Sequence, residues 1–161
     1  MLRATLLALS LALSASQVSA DAFDDAYNAY QRGDFDTAAK TYRKLAERGD
    51  VVAQYNLGVM HENGQGIPQD YAEAVRWYTR AAEQGNAGAQ FNLGILYEYG
   101  AGLPQNNIMA HMWYDLASEN GAKQGGEWRD ERAGLMTAAD IAKAQAMARE
   151  CMDSGYKNCG D

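Results

Sequence analysis

The stretch AQYNLGVMHENGQG, Ala53 to Gly66, returns as AQFNLGILYEYGAG, Ala89 to Gly102, 36 positions further along the chain. Extended to Gly85 and Gly121, nearly half of the aligned positions are identical, among them Asn56/Asn92, Leu57/Leu93, Gly58/Gly94, Pro68/Pro104, Trp77/Trp113 and Tyr78/Tyr114. A period of this length marks an internal structural repeat and decides how everything else is read.

The second half of each copy places Ala74, Trp77, Tyr78 and Ala81, then Ala110, Trp113, Tyr114 and Ala117, at i, i+3, i+4 and i+7. That spacing predicts one apolar helical stripe per copy. The first half carries Ala53, Leu57 and Gly58 on one face. A glycine inside a helix costs about 1 kcal/mol relative to alanine, so Gly58 marks a close approach of a second helix. Gly64, Gly66 and Pro68 break the chain between the halves, Asp70 is placed to cap the next helix and Gly85 to end it.

Shifting back one period finds Ala38, Thr41, Tyr42 and Leu45, with Glu47 and Gly49 where the next copy has Glu83 and Gly85. A third, more divergent copy therefore precedes the clear pair. The pattern predicts helices over 22–32, 36–48, 51–63, 70–84, 87–99, 106–119, 122–134 and 138–153, with no competing strand pattern. One such hairpin cannot bury its own stripe, so neighbouring hairpins must stack.

The composite motif, A-x-[YF]-N-L-G, then G-x-G-[IL]-P-Q, then A-x-x-W-Y-x-x-A-x-E-x-G, resembles the Sel1-like repeat, a relative of the tetratricopeptide repeat with a longer loop between its helices. The resemblance covers Ala53 to Gly121. It implies an all-α, right-handed α-α superhelical solenoid with repeats near 22–49, 50–85 and 86–121. The first hairpin departs from it: Ala26 to Ala38 is 12 positions, whereas Gly58 to Ala74 and Gly94 to Ala110 are 16, so four loop residues are missing. After Gly121 the same shift puts Asp130 where a packing glycine is expected. Residues 122–161 instead read as a capping helix pair, with Trp128, Leu135, Ile141, Ala144 and Ala148 apolar, Thr137 and Asp140 in a capping box, and Arg129, Asp130, Glu131 and Arg132 solvating its surface.

Residues 1–20 form a separate unit, with Arg3 as a short positive region, Leu6 to Ala15 as an apolar run and Val18-Ser19-Ala20 as a small-x-small cleavage site. They read as a cleaved signal peptide, leaving 21–161 as one repeat domain. The apolar run is too interrupted by serines to serve as a stable membrane span. Removing Arg3 takes the formal charge from -7 to -8, which disfavours nucleic acid as a partner. Export to the periplasm or beyond permits a disulfide between Cys151 and Cys159.

Signals for chemistry are few. Ser154-Gly-Tyr-Lys157 has the Ser-x-x-Lys spacing of penicillin-recognising enzymes without their other elements. Some cysteine-rich Sel1-like proteins are associated with β-lactam binding, so a β-lactam or cell-wall-directed hydrolase stands as the alternative; those relatives resemble one another through cysteines in most repeats, and this chain has one terminal pair. His61 and His111 sit at different helix positions without second ligands, so neither a metal nor a cofactor is expected, and no catalytic residue is assigned.

The remaining reading is a binding surface. In tetratricopeptide-like stacks the first helix of each hairpin lines the concave face. Counting from Ala26, Gly58 and Gly94 gives Phe23, Asp24, Tyr27 and Tyr30; Tyr55, Asn56, Val59 and Glu62; Phe91, Asn92, Ile95, Glu98 and Tyr99 as inward positions. Tyr27, Tyr30, Tyr55, Asn56, Glu62, Phe91, Asn92, Glu98 and Tyr99 are the candidate contacts. Asparagines suit peptide backbone, aromatics give rigid contact area, and carboxylates select a partner segment bearing Lys or Arg. The resemblance implies a non-catalytic adaptor or regulator of the cell envelope that binds a protein or peptide; a structural spacer is the remaining alternative.

Overall fold

The computed structural model describes residues 20–157 and Cys159; the expected signal peptide falls almost wholly outside them. Among the described residues eight helices follow one another: α1 (residues 20–31), α2 (Phe35–Glu47), α3 (Val51–Asn63), α4 (Tyr71–Ala82), α5 (Ala87–Tyr99), α6 (Asn107–Glu119), α7 (Lys123–Ala133) and α8 (Ala138–Asp153). No strand occurs among the described residues. None of the described helices is long and apolar enough to cross a membrane.

Short polar side chains start most of the helices. Asp34, Asp50, Asp70, Asn86, Asn106 and Thr137 each accept a backbone N–H from the first turn that follows, and each such cap is worth about 1 kcal/mol. Thr137 also donates its hydroxyl to Asp140 at 2.8 Å, which completes the expected capping box. Gly64 and Gly100 close α3 and α5 in the left-handed conformation. The α4 helix stops at Ala82, short of the expected 84, because Gly85 already turns with φ of 81°.

Hairpins pack through the residues that recur. Trp77 and Trp113 are 6% and 1% exposed, and Tyr42, Tyr78 and Tyr114 are buried with them. Trp77, from the second unit, belongs to the same apolar cluster as Ala38, Ala39 and Tyr42 of the first. Each aromatic or aliphatic side chain buried this way contributes roughly 1.5–3 kcal/mol, and that seam holds one hairpin to the next. A Cβ on Gly58 would lie 2.6 Å from the Tyr78 ring, and Gly94 faces the Tyr114 ring in the same way. The two glycines let α3 meet α4, and α5 meet α6, face to ring.

The last two helices both pack on α6. Two expectations for this cap need correction. Arg129 and Arg132 do not simply solvate it: they are about three-quarters covered, paired with Asp115 at 2.6 Å and Glu98 at 2.7 Å. Leu135 is no core residue but the loop residue between α7 and α8, 78% exposed. The packing glycine sought at position 130 exists five residues earlier, as Gly125, which is buried against the Tyr114 carbonyl and Ala117. Ala144 and Ala148 are fully buried as expected.

Cys151 and Cys159 form a disulfide, with 4.7 Å between their Cα atoms. The loop it closes holds Tyr156 in a left-handed conformation, φ 64°, so that its hydroxyl exchanges hydrogen bonds with Asn120 at about 3 Å. Asn120 in turn donates to Gln90, and Gln84 donates to Gln54 one repeat earlier. Gln54 and Gln90 also donate to the Ala46 and Ala82 carbonyls, so this polar ladder ties each first helix to the end of the helix before it.

Candidate partner-binding face

Along α3 the buried residues are Ala53, Gln54, Leu57, Gly58, Met60 and His61, and along α5 Ala89, Gln90, Leu93, Gly94 and Leu96. The helical period leaves the opposite stripe uncovered. Tyr55, Asn56, Val59 and Glu62 on α3, and Phe91, Asn92, Ile95 and Glu98 on α5, are all half-buried; Asp24 and Tyr27 on α1 are exposed. The candidate residues thus fall in one register on the first helices of three successive hairpins.

Within that face the aromatics are anchored on the second helix of their own hairpin. The Tyr55 ring lies 5.9 Å from Tyr78, and Phe91 lies 5.7 Å from Tyr114. Trp128 from the cap adds a third ring, 5.5 Å from Phe91 and 5.8 Å from Tyr114 at steep angles, which is the preferred edge-to-face arrangement. Tyr30 stacks edge-on to Phe35 and donates its hydroxyl to Gln65 at 3.0 Å. Tyr27 and Tyr99 are different in kind, being 50% and 65% exposed.

The carboxylates are also engaged. Glu62 accepts the Tyr78 hydroxyl at 2.6 Å, and Glu98 accepts that of Tyr114 at 2.8 Å. Burial, then the hydrogen bond to the carboxylate, holds both phenols far above the ordinary tyrosine range. Arg132 pairs with Glu98, whereas among the described residues no ion pair is formed by Glu62. Negative charge on this face is therefore concentrated toward α1 and α3.

The two asparagines diverge. Asn92 interacts with the Tyr55 and Tyr78 phenols of the preceding hairpin and partly offsets the upward push of burial on them. The Asn56 amide, half-buried, has no hydrogen-bond partner among the described residues. A half-buried amide with both donor and acceptor unspent is a group that can still take a ligand's backbone.

The other residues that could carry chemistry sit in structural surroundings. Burial holds the imidazoles of His61 and His111 below the usual histidine range, and no group of metal-ligating residues is found among the described residues. Ser154 donates to the Cys151 carbonyl at 2.8 Å and accepts the Lys157 N–H at 3.1 Å, so the Ser-x-x-Lys string is a capped helix end. Sequence reasoning missed Trp128 and Arg132 as parts of this face. Both come from the cap, which has no repeat register to place them.

Residues 51–86 and 87–121 match the family model of the Sel1 repeat. A solved protective antigen present in uropathogenic Escherichia coli strains, displaying an SLR fold, superposes with a TM-score of 0.81 at 28% identity over 89% of this chain and 32% of that one. A Sel1 repeat protein from Oxalobacter formigenes superposes with a TM-score of 0.62 at 37% identity over 66% of this chain and 44% of that one. The chain thus spans less than half the length of either. No curated protein sequence matches it.

Proposed function

Because this chain is a Sel1-like repeat protein, we propose that it is a non-catalytic adaptor or regulator of the cell envelope that holds a peptide segment of another protein on the face formed by α1, α3 and α5. Sel1 repeats generally serve as protein-interaction modules. The observation that carries the reading here is the unspent amide of Asn56, on the same half-buried stripe of α3 as Tyr55 and Glu62. Such a row offers hydrogen bonds to a backbone, flat apolar contact and a site for one Lys or Arg. Export by residues 1–20 and an oxidising compartment are supported by the leader pattern and by the Cys151–Cys159 disulfide.

The test is site-specific photocrosslinking in envelope preparations, with the probe at position 56 or, as control, at the exposed Glu119 at the end of α6. A polypeptide captured from position 56 alone, less at high salt, is the expected result. Equal capture from both positions would count against this face, and capture unaffected by salt would count against its electrostatic part.

A further inference from the structure

The long loops of the two central units do more than connect helices. Gly66 lies so close to the Phe35 carbonyl that a Cβ there would collide with it, and Gly102 would have its Cβ 2.5 Å from the Tyr71 carbonyl carbon. Each loop is therefore seated on the first turn of the second helix of the unit before it. Ile67 follows Gly66 and packs against the same buried cluster as Tyr30 and Phe35, while Gln65 accepts the Tyr30 hydroxyl.

Counted on by the repeat from Phe35 and Tyr71, the next seat is the first turn of α6 at Asn107. The connection that would reach it, between α7 and α8, is only residues 134–137 and contains no Gly-x-Gly turn. A cavity of about 280 Å³ lies there, lined by Tyr99, Asn107, Leu135 and Met136 among others. A second of about 360 Å³ adjoins it, sharing Asn107, Leu135 and Met136. Leu135 and Tyr99, 78% and 65% exposed, are the most exposed large apolar side chains among the described residues. On the wall Glu98 pairs with Arg132, and Asp140 at the far end accepts the Thr137 hydroxyl.

We infer that this open seat is a docking site for a short uncharged turn of a partner polypeptide: an aliphatic residue between a glycine and a proline. The turn lies on Asn107 in trans as Gly66-Ile67-Pro68 lies on Phe35 in cis. The seam between repeats is an interface already built twice in this chain, and the cap leaves its third instance uncovered. The turns already seated in this way, Gly66-Ile67-Pro68 and Gly102-Leu103-Pro104, carry no charge, which makes the occupant uncharged. The chain's own Gly-x-Gly turns are both seated already, which makes the occupant a different protein. The site adjoins the partner-binding face at Glu98 and Tyr99 but does not include Asn56 in its lining, so a substitution at either end tests one without the other.

The test is an amide chemical-shift titration of the isotopically labelled, oxidised protein with a backbone-cyclised peptide containing Gly-Gln-Gly-Ile-Pro-Gln, the sequence of residues 64–69. Expected are saturable shifts centred on residues 107, 108 and 135–137. Affinity should drop at least tenfold in Leu135→Glu, a substitution at an exposed loop residue whose folding is checked by circular dichroism. It should drop likewise when the peptide carries Asp in place of its isoleucine, and stay unchanged in Asn56→Ala. The inference is overturned by absence of shifts at millimolar peptide, by shifts confined to α1, α3 and α5, or by shifts at residue 107 that follow protein concentration without peptide, which would make the occupant a second copy.

Discussion

The Tyr78 hydroxyl donates to Glu62 at 2.6 Å, and one repeat later Tyr114 donates to Glu98 at 2.8 Å. The same bond, twice, joins the second helix of a hairpin to the half-buried side of its first helix. Removing it in Tyr78→Phe leaves a half-buried carboxylate with one donor fewer, and a hydrogen bond to a charged group is worth about 1.5–3 kcal/mol. Urea unfolding should show a loss toward the low end of that range, since solvent can reach Glu62.

Burial gives the tyrosines a pH consequence. It pushes the Tyr42 phenol up to about 12, and Tyr78 and Tyr114 higher still. Unfolded tyrosines ionise near pH ~10, so the folded state holds these protons more tightly. Their contribution to stability is complete below pH ~10 and is lost as the pH rises above it. Absorbance at the tyrosinate band should rise only for the exposed tyrosines until the chain unfolds, and then jump. A smooth titration of all the tyrosines without unfolding would contradict the burial.

The histidines act at the other end. Desolvation lowers the pKa of both His61 and His111 in the folded state. Stability is full above the unfolded value of about 6.5 and is lost as pH falls through the folded values. The chain's own repeats suggest neutral replacements: position 61 corresponds to Tyr97 and position 111 to Val75. Combined His61→Tyr and His111→Val should flatten the acid limb of a stability-versus-pH curve, measured by thermal melts between pH 4 and pH 8.

Gly58→Ala and Gly94→Ala set helix propensity against packing. Propensity favours alanine by about 1 kcal/mol. The new methyl groups, however, meet the Tyr78 and Tyr114 rings at distances real Cβ atoms do not adopt. Overpacking of this kind costs typically 1–3 kcal/mol, so both variants should unfold at lower urea. An unchanged or raised midpoint would mean that the rings move aside freely.

Opening the disulfide in Cys151→Ala/Cys159→Ala removes a closed loop worth about 2.5 kcal/mol on the chain-entropy model. It should also release Tyr156 from Asn120, which the Tyr156 ring resonances would report as motional narrowing. Loss of stability with Tyr156 still fixed would assign its position to packing alone.

Where the repeat governs, the fold was legible. The Trp-Tyr stripes, the packing glycines and the helix caps all recur at one spacing, and local preference and tertiary contact agree at each. The Glu62–Tyr78 and Glu98–Tyr114 pairs also recur, both 16 residues apart. That signal was present but was read as open negative charge, because spacing alone does not tell an acceptor in use from one on offer. Trp128, Arg129 and Arg132 reach back to Phe91, Asp115 and Glu98 from a segment without period. Nothing in their order fixes which neighbour they meet, and a charged string normally reads as solvated.

The seating of Gly66 on Phe35 and of Gly102 on Tyr71 gives the assembly a direction. Every long loop fastens the unit upstream, like overlapping roof tiles laid from one end. A tandem duplication of one 36-residue tile at the Asn86–Ala87 boundary would bring its own fastening and leave every existing one in place. Gene duplication therefore has an easy route to longer members of this architecture, whereas deleting a single loop would loosen a neighbour that carries no lesion itself.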